Sequence, residues 1–181
     1  MSYPLLMKVE NALVSLLQAN AGIAALTFTA ADGNTRPLQV MAAITLEGMD
    51  DSRITCEALE ASSVNDRPRS GNFDVTVNVH IVTATAEASV PTDNQDANKD
   101  GVADAPPLTV DMATLRAIHG ARVCAVQDVL RTDTLPADLS ATTANLGCYG
   151  HQFNGERQSV NGPFLVYTLS YILRGVCDTD L

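Results

Sequence analysis

Tryptophan is missing from this 181-residue chain, and aromatic residues make up only 4% of it. Basic residues are scarce too: 11 Lys and Arg face 21 Asp and Glu, for a formal net charge of −10. That shortage excludes general nucleic-acid gripping, which depends on Lys and Arg meeting phosphates. The four cysteines, Cys56, Cys124, Cys148 and Cys177, form no CxxC pair, so neither a zinc knuckle nor a thioredoxin-type motif is indicated. They are expected to be small buried or half-buried thiols. No run reaches the roughly 18 to 20 apolar residues needed to cross a bilayer. The opening MSYPLLMKVENALVSLL is broken by Lys8, Glu10 and Asn11 and has no basic start, so no secretory signal and a cytoplasmic origin are expected. GxSxG, HExxH and P-loop motifs are all lacking, so no catalytic residue is assigned and no enzyme is expected.

What is present is a 46% apolar share, too high for a disordered chain. The length suits a single domain over 1–181 that carries an insertion. Leu6, Val9, Leu13, Leu16 and Leu17 recur at helical spacing and predict an amphipathic helix over about 4 to 19. An apolar run from Leu38 to Leu46 and an alternation around Ile54, Cys56 and Ala58 predict strands. The cleanest strand is 73 to 83, FDVTVNVHIVT, with Phe73, Val75, Val77, Val79 and Ile81 on one face and Asp74, Thr76, Asn78 and His80 on the other. Residues 84 to 109 turn rich in Ala, Asp, Asn, Thr and Pro and predict an acidic insertion loop. A second helix is expected over 111 to 131, its stripe formed by Met112, Leu115, Ile118, Ala121, Ala125 and Val129. Pro136 and a polar link follow. A short strand near Cys148 to Phe153, a turn-rich connection over 155 to 163 and a last strand, FLVYTLSYILRGVC, complete the chain. That strand is apolar on both faces, so it is expected to be central or covered on its second side. The order helix, strands, helix, strands predicts an α+β fold: a mostly antiparallel sheet of about four or five strands with two helices on one face.

The strongest local motif lies in the insertion. Asp96, Asn98, Asp100, Gly101, Val102 and Asp104 fit D-x-[DN]-x-[DN]-G-x-x-D, and alternate residues of a tight loop supply the oxygens that calcium takes. Asp96, Asn98 and Asp100 would offer side-chain oxygens, Val102 its carbonyl, and Asp104 a direct or water-mediated oxygen. Pro107 occupies the twelfth position, where a Glu or Asp normally closes such a cage. Calcium is therefore a candidate ligand, and no cofactor is required. His80, His119 and His151 fall in three different elements and match no ligand spacing. Arg67 and Arg69 in SSVNDRPRSGN, and Glu156 and Arg157 in GERQSVNGP, read as exposed loop residues suited to carboxylate pairing across a protein interface.

The segments VENALVSLLQANAGIAAL, FDVTVNVHIVT, LRAIHGARVCAVQDVL and LVYTLSYILRG, in this order, resemble the tail terminator (tail completion, or neck) proteins of long-tailed bacteriophages. The resemblance covers about residues 5 to 26, 54 to 83 and 110 to 176. It implies a structural virion protein with no membrane partner, assembled in the host cytoplasm and located at the tail or neck. Such proteins form a ring of identical subunits, a hexamer, that caps the tail tube, stops its polymerisation and joins it to the head-side connector. DNA meets the ring only in transit. The interface residues expected on loop placement are Arg67, Arg69, Glu156 and Arg157. The alternatives are another neck or head–tail connector component, and a calcium-binding surface or adhesion module.

Overall fold

Sixteen residues separate the first alternating strand signal from the last helical stripe of the N-terminal half, and the structure resolves this stretch into a helix leading into a sheet. In a computed structural model, residues 5–30, 33–42, 51–63, 72–91, 108–143 and 146–178 are described. The amphipathic start forms α1 (Leu5–Ala19), which buries Val9, Ala12, Leu13 and Leu17, the i, i+3, i+4, i+8 pattern of one helical face. Asn20 then caps the short α2 (Ala21–Ala24), its side-chain oxygen accepting from the backbone N–H groups of Gly22 and Ile23 at 2.9 and 3.1 Å.

Three short strands follow, β1 (Thr27–Thr29), β2 (Thr35–Pro37) and β3 (Gln39–Ala42). The long strands β4 (Arg53–Ser63) and β5 (Asn72–Ala84) come next, and β5 runs into a 3-10 turn, Thr85–Ala88. Strands β6 (Ser89–Pro91) and β7 (Leu108–Val110) pair antiparallel, so both ends of the expected insertion form a two-stranded ribbon. Asp111 caps α3 (Met112–Leu130), accepting from the N–H groups of Ala113 and Thr114. The chain finishes with α4 (Leu135–Thr142), β8 (Leu146–Gly147), β9 (Gly150–Asn161) and β10 (Phe164–Asp178).

The main sheet has six strands in the order β3-β4-β5-β10, with β8 and β9 both on the outer edge of β10. Its pairs are antiparallel except β3 with β4. The architecture is α+β, a mixed sheet with helices. Direct cross-strand neighbours share a face, so Cys56, Val79 and Leu169 form one row and Ala58, Val77 and Tyr171 the next. These rows are buried together with α1, α3 and α4 residues in one core. The helices therefore lie on one side of the sheet.

Four details differ from the sequence expectation. The sheet has six strands, one more than the upper expectation of five. The segment 155–163 is no turn-rich connection: residues through Asn161 belong to β9 and pair with Phe164–Arg174. An edge strand has one neighbour and tolerates polar side chains, so pairing outweighs local turn preference. Only Gly162 and Pro163 turn, with Gly162 at φ 56°. The polar link after α3 is helical, because Pro136 sits in the first turn of α4, where its missing N–H costs nothing, and Leu135 and Leu139 are buried. The stripe of α3 is also rotated. It buries Leu115, His119, Arg122, Val123, Val126 and Leu130, while Met112 and Ala121 are exposed. Strand β10 is apolar on both faces because it is central, between β5 and β9, and not because a second helix layer covers it among the described residues.

Candidate functional site

Two polar clusters stand out, one under α3 and one on the opposite face of the sheet. The first is built around Arg122, which belongs to the buried stripe of α3. Its guanidinium forks onto both carboxylate oxygens of Glu87, at 2.8 and 2.7 Å, with the two side chains 2% and 4% exposed. It also donates to the Thr27 carbonyl at 2.7 Å and to the Thr83 hydroxyl at 3.1 Å. Ser52 donates to Glu87 and accepts from the Ala84 N–H at 2.8 Å. Since Thr83 accepts from Arg122, its own hydrogen goes to His119 Nδ1, 2.9 Å away. This places the His119 proton on Nε2, which is buried without a hydrogen-bond partner. Burial and then the charge of Arg122 push the His119 pKa down to about 4. His119 is thus a packed, neutral side chain that edges the Tyr167 ring at 6.2 Å. This cluster binds helix to sheet and is closed to a ligand.

The second cluster occupies the face without helices. Strand alternation sends Asp74, Thr76, Asn78 and His80 of β5 there, beside Thr168, Ser170 and Arg174 of β10. His80 sits between Thr168, with Nδ1 2.9 Å from the hydroxyl, and Glu57, with Nε2 3.3 Å from the carboxylate. Arg174 pairs with Asp74, which also accepts from the Gly175 N–H at 3.1 Å. Where the β9–β10 hairpin ends, this face holds an open cavity of about 410 Å³ lined by Arg53, His80, Val82, Ser159, Phe164 and Thr168, among others. The Arg53 guanidinium lies 5.6 Å from the centre of the Phe164 ring and donates to the Asp51 carbonyl at 2.8 Å. Burial lowers the Arg53 pKa, and Asp51 opposes the shift.

Of the expected interface residues, Glu156 and Arg157 are strand residues and not loop residues. Neighbours in a strand point to opposite faces, and the structure separates them accordingly. Glu156 turns to the helix side, where it accepts from Arg131 at 3.4 Å and Gln127 at 3.3 Å. Arg131 also lies over the Phe153 ring, 5.5 Å from its centre. Arg157 is opposite Thr168 on the helix-free face and has no ion-pair partner among the described residues. Arg67 and Arg69 lie outside the described residues. So do all the proposed calcium ligands, Asp96, Asn98, Asp100, Val102 and Asp104.

Among the described residues, no three His, Cys, Asp or Glu side chains converge as a metal site. Cys56 and Cys148 are buried, Cys177 is half-buried and Cys124 exposed, all as free thiols. Burial, aided by Glu10, raises the Cys56 pKa to about 12, so it is inert as a nucleophile. No helix of the described residues is long and apolar enough to cross a membrane. Sequence reasoning missed the Arg122–Glu87 pair. The available signal was the spacing of Leu115, His119, Arg122 and Val126, which puts two polar residues into a helical stripe. No known family model and no curated protein matches this sequence.

The buried pair predicts a non-additive cycle. Either Arg122→Ala or Glu87→Ala alone strands a buried charge and costs about 3–5 kcal/mol. Denaturant unfolding of the Arg122→Met/Glu87→Met double variant should show a smaller loss than either single change. Losses that simply add would refute the pairing.

His119 predicts a pH effect of definite sign. Its pKa is about 4 in the fold against an ordinary 6.5, so the unfolded chain takes up the proton first. Its contribution is complete above pH 6.5 and is lost as pH falls towards 4, at up to about 1.4 kcal/mol per pH unit. The stability difference between His119→Gln and the native chain should therefore change across this window. A constant difference from pH 7 to 4 would contradict the assignment.

Proposed function

We propose that this protein is a structural virion component of a long-tailed phage, a tail terminator that forms a ring on the end of the tail tube. The observation that carries the reading is the one-sided sheet. Its helices gather on one face and leave a polar face spanning β4, β5, β10 and β9. Such a face suits docking against another folded surface. The local resemblance of the helix and strand segments to tail terminators adds the class of assembly.

The mechanism is one of contacts, with no reaction catalysed. One surface of the ring copies the docking surface of a tube subunit, and the other refuses a further tube ring while accepting the connector. A head-to-tail contact that closes by rotation gives a ring in place of a fibre. The charge of −10 per copy suits a channel through which DNA passes without sticking, since acidic walls repel phosphates over about 8–10 Å at physiological salt.

Negative-stain microscopy of the purified chain, alone and with tail tubes, tests the proposal. The expected images show hollow rings, and virions lacking the protein should carry overlong tails. Normal-length tails that fail to join heads would point to a connector or neck component instead. A monomer that ignores tail tubes would refute the ring.

A further inference from the structure

The cations of this acidic protein are mostly committed within the fold. Arg122, Arg131 and Arg174 pair with Glu87, Glu156 and Asp74. Around the cavity at the β9–β10 hairpin the balance differs. Arg53 forms one wall, 4% exposed and stacked on Phe164. Arg157 is exposed beside the cavity, as the cross-strand neighbour of the lining residue Thr168. The nearby acid Glu57 is hydrogen-bonded to His80. Val82, Val166 and Phe164 supply an apolar floor between these polar groups. A guanidinium held by an aromatic ring is pre-set for a planar, two-pronged contact with a carboxylate. The volume of about 410 Å³ exceeds what one acidic side chain fills, so it accommodates such a side chain with its flanking residues.

We propose that this cavity is a socket for an aspartate or glutamate side chain from a second copy of this chain. The inference rests on the ring assembly above and adds the chemistry of its subunit contact. Copies carrying −10 each repel one another, so a stable contact between them must bring an acid to a cation. Charge complementarity thus selects an acidic plug, and a strongly acidic chain has many to offer. Socket and plug are different parts of the surface, so the contact is head-to-tail, the kind that repeats around a ring.

Sedimentation velocity of the full chain over a concentration series tests the socket, with circular dichroism confirming that each variant is folded. Arg157→Glu reverses the charge at the mouth. Ser159→Trp, on the edge strand, fills the cavity without touching a charge. Each should weaken self-association at least about tenfold, while Arg157→Lys keeps it within about threefold. Rings that form normally with both Arg157→Glu and Ser159→Trp would overturn the socket and leave the ring assembly standing. A native chain that stays monomeric with and without tail tubes would overturn both.

Discussion

The Arg122–Glu87 pair is the constraint on which the rest of the structure depends. It joins α3 to the 3-10 turn after β5, to β1 through the Thr27 carbonyl, and to the sheet through Thr83 and Ser52. A buried ion pair is not a strong source of net stability, because desolvating two charges offsets much of their attraction. Its value here is positional. An unpaired guanidinium in that core would be costly, so α3 has one rotation and one depth at which Arg122 is satisfied. With that helix held in place, Val126 and Leu130 join the main core, and Leu115 meets Ala88 and Leu165 in a smaller one.

Fixing the helices on one side determines what the other side becomes. Each long strand alternates, so an apolar row toward the helices leaves a polar row facing away. The helix-free face is therefore as regular as the core, and its side chains bond across strands, as in Thr168–His80–Glu57 and Asp74–Arg174. The strand edges are guarded as well. Gln18 of α1 donates to the Val40 carbonyl of β3, and β9 carries a bulge near Gly155 with charged residues after it. A protein with guarded edges and one open polar face is suited to assemble through side chains on that face.

The parts of this arrangement that were legible in the sequence are those set by periodicity. Val75, Val77, Val79 and Ile81 of β5 and Val9, Leu13 and Leu17 of α1 are buried where their spacing puts them. The less legible parts depend on partners distant in sequence. Arg122 reads as a surface residue until Glu87, 35 positions away, comes to meet it. GERQSVN reads as a turn until the hydrogen-bonding edge of β10 is available. Glu156 and Arg157 read as neighbours with one role, yet strand geometry gives one to Arg131 and the other to the cavity side. The Asp-rich motif at 96 to 104 and the pair Arg67 and Arg69 fall outside the described residues.

The account turns on which side of the sheet meets other subunits. Hydroxyl-radical footprinting of the free chain against the chain assembled on tail tubes measures this directly. Phe164, His80 and Ile172 on the helix-free side should lose oxidation on assembly, while the exposed Met7 of α1 and Met112 of α3 keep theirs. Protection confined to Met7 and Met112, with the sheet residues unchanged, would contradict the account.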